Sequence, residues 1–165
     1  MAPSTLSQVI KPYSTYTVRC FNDGKLKWTE KTPNMVVNEG LEYVMGRSFG
    51  DYEMVGWHCG LLIEGVAEPT DTMQNHPTWS EFMGATTKMR PLCSWVQQEN
   101  LIDYVSSDNQ FMIRIPGQVS GAFMTSEQDS NTTDGTLYGV APFSAVRQVV
   151  SGDSLLVTIH LGARA

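Results

Sequence analysis

The last apolar stretch of the chain constrains its fold more than any other feature. Leu155, Val157, Ile159 and Leu161 alternate with Leu156, Thr158 and His160, a period of two that an extended strand turns into one apolar face. The same alternation occurs near the start. Tyr16, Val18 and Cys20 alternate with Thr15, Thr17 and Arg19, and after Asn22-Asp23-Gly24 come Leu26 and Trp28, alternating with Lys25 and Lys27. This predicts a β-hairpin closed by a short glycine-containing turn. Further short apolar segments at 92 to 96, 111 to 115, 119 to 124 and 137 to 140 are separated by turn formers at 106 to 109, 116 to 117, 129 to 135 and 151 to 153. That spacing is expected of a sandwich.

One stretch departs from period two. Asn38 offers an N-cap, Glu39 and Glu42 suit the N-terminal end of a helix dipole, and Leu41, Val44 and Met45 recur at helical spacing. A helix over about residues 38 to 48, ended by Gly50, is predicted, with its Leu/Val/Met stripe facing the core. Residues 54 to 63, with Trp57 and Gly60 inside, read as a buried strand, and 64 to 78 as a loop leading to a short element at 79 to 82. The expected fold is mostly β: an antiparallel β-sandwich, with the jelly roll as its particular form, one short helix and an extended N-terminal arm. Residues 1 to 13, with Pro3, Pro12 and several Ser and Thr, make the arm, expected to be ordered only by a neighbour; 14 to 165 make a single domain.

Composition narrows the function classes. Charged residues are 17% of the chain, net charge is −6, and the 11 basic residues form no stripe, so binding to a phosphate backbone is not expected. A weakly charged polar surface suits a protein packed against copies of itself or a partner. Cys20, Cys59 and Cys93 lack close pairing and read as buried thiols of a reducing compartment. No signal peptide or membrane-length apolar run is visible, which gives the expectation of a soluble protein made in a cytoplasm. The Asn131-Thr132-Thr133 sequon would then be chance.

Catalytic chemistry finds few residues to use. Only His58, His76 and His160 could serve as a base for a Ser or Cys nucleophile, and no G-x-S-x-G elbow is present. The ligands for zinc would be His58, Cys59, His76, Cys20 and Cys93, without the short paired spacings of a closed site. Asp129 to Gly135 supplies oxygen ligands but lacks the register of a calcium loop and reads as a solvated turn. Glu64, Glu68, Asp71 and Glu81 are the acids from which a hydrolytic pair would come. Trp28, Trp57, Trp79 and Trp95 lie apart without interleaved bases. No catalytic, cofactor or metal site is therefore expected, and Tyr13, Tyr16 and Trp79 are the candidate partner contacts.

Several stretches, in this order, resemble a family of small tailed-bacteriophage virion proteins of the capsid decoration, or cement, type. They are Asn34-Met35-Val36-Val37-Asn38-Glu39-Gly40-Leu41, Trp57-His58-Cys59-Gly60-Leu61, residues 69 to 81 around His76-Pro77-Thr78-Trp79, residues 113 to 122, Gly135-Thr136-Leu137-Tyr138-Gly139, and 143 to 152. The resemblance implies a β-rich protein of the phage particle, present in many copies, and leaves the capsid shell, the neck and a fibre open as its place. The leading expectation is a non-enzymatic capsid decoration protein on the capsid surface that binds the major capsid protein, self-associates as dimer or trimer and stabilises the shell against packaged DNA, with no cofactor, membrane or direct nucleic-acid partner. The alternative is a tail, neck or fibre component that binds a host glycan, with Trp79 as the sugar platform, or another virion protein.

Overall fold

The computed structural model describes residues 11 to 100 and 102 to 164. The expected arm falls largely outside them. Its last three residues, Lys11, Pro12 and Tyr13, belong to the first strand, β1 (Lys11–Asn22). Asp23 and Gly24 adopt positive φ, 49° and 73°, and this left-handed pair turns the chain into β2 (Lys25–Pro33), as a two-residue hairpin requires. β3 (Met35–Val36) leads into α1 (Asn38–Phe49), followed by β4 (His58–Ile63), β5 (Ser80–Glu81), β6 (Trp95–Gln97), β7 (Tyr104–Ser106), β8 (Asn109–Met112), β9 (Gly117–Thr125), β10 (Leu137–Val149) and β11 (Asp153–Arg164).

The strands form two antiparallel sheets in a sandwich-like arrangement. One has the order β2-β1-β11-β7-β6, with β8 also on β11; the other has the order β3-β10-β9-β4-β5. Tyr16, Val18, Cys20, Leu155, Val157 and Ile159 of the first sheet meet Cys59, Leu61, Ala122, Met124, Tyr138 and Ala141 of the second in one core. The alternating sets of β1 and β11 thus form the first sheet's inner face.

The second sheet is buried on its other face as well. Leu62, Phe123, Leu137 and Val140 pack there with Val37, Ala67, Met73 and Trp79, so the loop from 64 to 78 is a covering layer. A register shift between Leu137 and Gly139 lets Leu137 and Val140, three apart, face the same side, as a bulge does. Gly60 lies opposite Phe123 on the neighbouring strand. A Cβ on Gly60 would come within 2.3 Å of the Phe123 ring, so only glycine leaves the ring its place.

β11 has β1 along its whole length on one side, while its other side is shared by β8 at Ser154 to Val157 and β7 at His160 and Leu161. Side chains bridge the join. Asn109 Nδ2 donates to the Val157 carbonyl at 3.0 Å, and the Ile159 N–H donates to Ser106 Oγ at 2.8 Å. They replace the ladder bonds that no backbone supplies at this point.

Two expectations need correction. The strand expected over 54 to 63 begins only at His58, and Met54 is 77% exposed. The helix has the expected extent, but Val37 rather than Asn38 is its N-cap and no side chain caps it. Glu39 instead accepts a 2.7 Å hydrogen bond from the Leu137 N–H. The helix docks on β10 through Gly40, where a Cβ would stand 2.2 Å from the Tyr138 carbonyl oxygen. With the Gly40 side turned inward, the Leu/Val/Met stripe expected in the core faces solvent.

Candidate functional site

The residues named for chemistry are dispersed and committed to structure. His58 Nδ1 pairs with the Arg90 carbonyl at 3.2 Å, His76 Nδ1 with the Trp79 carbonyl at 2.9 Å, and His160 is exposed on β11. The three thiols are buried and unpaired with one another. Burial pushes Cys20 up to about 11 and Cys93 up to about 12, and raises Cys59 well above its usual range. A thiol so shifted stays protonated at neutral pH and is a poor nucleophile or metal ligand. Among the described residues no group of His, Cys, Asp or Glu is placed to hold a metal ion, and no helix is long and apolar enough to cross a membrane.

Two of the four acids have partners, and Glu64 and Glu68 are exposed. Asp71 is buried and accepts from Trp79 Nε1 at 2.9 Å and from the Glu68 N–H at 3.0 Å. Glu81 takes a bidentate pair from Arg90 at 2.9 and 2.8 Å. Arg90 reaches on to the Glu127 and Thr132 carbonyls, while the Asn131 N–H donates to Glu81. This buried pair therefore staples β5 to the loop at 129 to 135, whose oxygens had been weighed as ligands.

Of the candidate contacts, Tyr16 is fully buried in the core and Trp79 is 4% exposed, stacked under the His76 ring at 3.8 Å. Neither presents its ring to a partner, because each fills an inward position of a packed layer. Tyr13 is half-buried, and its hydroxyl accepts from Thr15 Oγ1 at 2.8 Å.

What stands out is a surface that the sequence pattern had assigned to the core. Leu41, Val44, Met45 and Phe49 share one side of α1, and all are exposed: Met45 by 58% and Phe49 by 85%. Beyond them the chain wraps round the helix. Tyr43 receives the Val55 N–H and donates to the Glu53 carbonyl, and its ring meets Trp57 edge-on at 5.0 Å. Between this wrap and the inner face of the first sheet lies an open groove of about 690 Å³, walled by Tyr43, Met54, Trp57, Trp95, Tyr104 and Leu161. Aromatic and methionine side chains are what interface cores are enriched in. The signal in the sequence was Phe49, Tyr52 and Met54, large side chains that continue past the helix without either periodicity.

Polar groups line the groove sparsely, and none is a catalytic pair. Such a surface can bind another apolar surface. No family model matches the chain, and neither a curated protein nor a solved structure matches it.

Proposed function

We propose that this chain is a structural component of a tailed-phage particle, a capsid decoration protein that binds the major capsid protein and stabilises the shell. One observation carries the binding part of this reading: the apolar side of α1, where Leu41, Val44, Met45 and Phe49 are exposed together among the described residues. Covering a Leu, Met or Phe side chain stabilises by about 1.5 to 3 kcal/mol relative to leaving it in water, so a helix face with four such groups is most stable against a partner. The family resemblance supplies the capsid as that partner. Many copies on one shell would each need only a weak patch, since engagement at several points multiplies into avidity. The low charge density supports close packing of those copies.

The glycan-binding alternative took Trp79 as its platform, and the burial of that ring removes its motive. A tail or neck position differs from the capsid in copy number. An electron-microscopy map of the purified particle is the test, and hundreds of copies with α1 against the shell are expected. A small multiple of three or six, or a particle that keeps its DNA on heating equally well without this protein, would overturn the reading.

A further inference from the structure

The polar side chains of the groove beside α1 are nearly all of one kind, hydrogen-bond donors. Its one charged lining residue is Arg47, in the last turn of α1 and one turn beyond Tyr43. Arg47 is exposed, and no acid among the described residues pairs with it. Trp57 and Trp95 pack against the core from the groove's wall. An indole nitrogen can only donate, and neither of these two has a hydrogen-bond partner among the described residues, whereas Trp79 Nε1 is bonded to Asp71 and Trp28 Nε1 is buried. Tyr104, 40% exposed, adds a hydroxyl and a further ring. No carboxylate or side-chain amide lines the groove, so in a chain of net charge −6 it has the opposite sign to the molecule as a whole.

An occupant that fits presents flat apolar groups and acceptors together, with a carboxylate for Arg47. A guanidinium matches a carboxylate through two parallel bonds, and rings already packed on a core lose little freedom on contact. A neutral sugar fits less well, since its hydroxyls donate as well as accept and would meet no carboxylate or amide. A small free acid also fits less well, because the groove is open and sites for small molecules enclose most of the ligand. A segment of a larger molecule, with an aromatic side chain beside an Asp or Glu, meets both conditions.

We propose that the groove docks a segment of a partner protein in which an aromatic side chain stands next to a carboxylate. The ring lies among Trp57, Trp95 and Tyr104, and Arg47 holds the acid. This goes beyond the capsid reading, because it fixes the chemistry of the segment rather than its source and is tested on the purified chain with no particle present. Its failure would leave that reading standing, and absence of the chain from shells would not bear on the groove.

The probe is the capped peptide acetyl-Ala-Phe-Glu-Ala-amide, titrated into the isotope-labelled full chain while the indole N–H resonances of its 4 tryptophans are followed. Those of Trp57 and Trp95 should shift and saturate at roughly millimolar peptide. Those of Trp28 and Trp79, buried and bonded to Asp71 respectively, should stay in place. The same peptide with Gln for Glu should bind roughly tenfold more weakly, and Arg47→Gln should abolish that difference. Arg47 is exposed, so its variant should fold, which unchanged Trp28 and Trp79 resonances verify. Equal binding of the two peptides by the parent chain, no shift up to about 10 mM, an Arg47→Gln chain that still prefers the acid, or tighter binding of decanoate or of a uronic-acid tetrasaccharide than of the peptide would each overturn the proposal. Movement of the same two resonances when the protein alone is diluted would put a second copy in the groove and overturn it as well.

Discussion

Tyr16 carries its hydroxyl into the core, where no hydrogen-bond partner meets it, and burial raises its pKa well above the ordinary value. A buried donor left unmade costs free energy that its removal returns. Tyr16→Phe should therefore leave stability unchanged or raise it by up to about 1 kcal/mol, read from urea unfolding; a clear loss would mean that the hydroxyl has a partner. Asn109 is the opposite case, because its amide satisfies the Val157 carbonyl across the join in β11's edge. Asn109→Ala should cost about 1 to 3 kcal/mol. Asp153 and Glu30 link charge to pH. Burial alone would raise both carboxyls, but the Lys27 ammonium at 2.6 Å, the Val150 N–H and Asn22 hold Asp153 below its usual range, and Arg147 with the Ser144 N–H do so for Glu30. A depressed folded pKa contributes stability that is complete above the unfolded value, about 4, and is lost as pH falls through the folded value. Unfolding midpoints should fall below pH 4, with a shallower fall in Asp153→Asn. The raised thiols act at the other end: their contribution is whole below about 8.5 and lost as pH climbs toward the values near 11 and 12 of Cys20 and Cys93.

At the scale of elements, α1 docks on the second sheet through its first turn. Gly40 and Glu39 fix its start on β10, while Leu41, Met45 and Phe49 on another side are exposed among the described residues. Gly40→Ala should displace the helix and cost more than about 1 kcal/mol by overpacking. Met45→Glu with Phe49→Glu should leave stability within about 0.5 kcal/mol of the parent yet abolish the proposed binding to the shell; a large drop in stability would show instead that the stripe is covered within the monomer. The helix illustrates how far sequence reading reached. Its extent followed from Leu41, Val44 and Met45 at helical spacing, but period alone does not say whether a stripe meets the chain's own core or another molecule. The contact that decides it, Gly40 on the Tyr138 carbonyl, lies 98 residues apart in sequence and leaves no local mark. β11 and the first hairpin were legible because alternation is itself the burial pattern. The second half of β10 was not: Phe143, Ser144 and Ala145 break the alternation where the strand leaves β9, and Glu30 on β2 meets Ser144 and Arg147 there. Trp79 was misjudged since a tryptophan after Pro77 in a loop gives no hint that Asp71 waits beneath it.

For the whole molecule, the two sheets close one core between them, the loop from 64 to 78 covers the second sheet's other face, and all three thiols lie buried. Native thiols should accordingly resist alkylation at neutral pH and react together on unfolding, which mass spectrometry after iodoacetamide would follow; one rapidly modified cysteine would contradict the burial of all three. The ends of the sheets matter for life in a crowd. The first sheet ends on β2, which bears Lys25, Lys27, Lys31 and Pro33, and on the three residues of β6; the second ends on β3 and β5, two residues each. Lysine, proline and short length deny an incoming strand a ladder to extend. Molecules held shoulder to shoulder at high local concentration can thus touch through side chains without zipping into fibrils, a property that the proposed place on a shell would draw on.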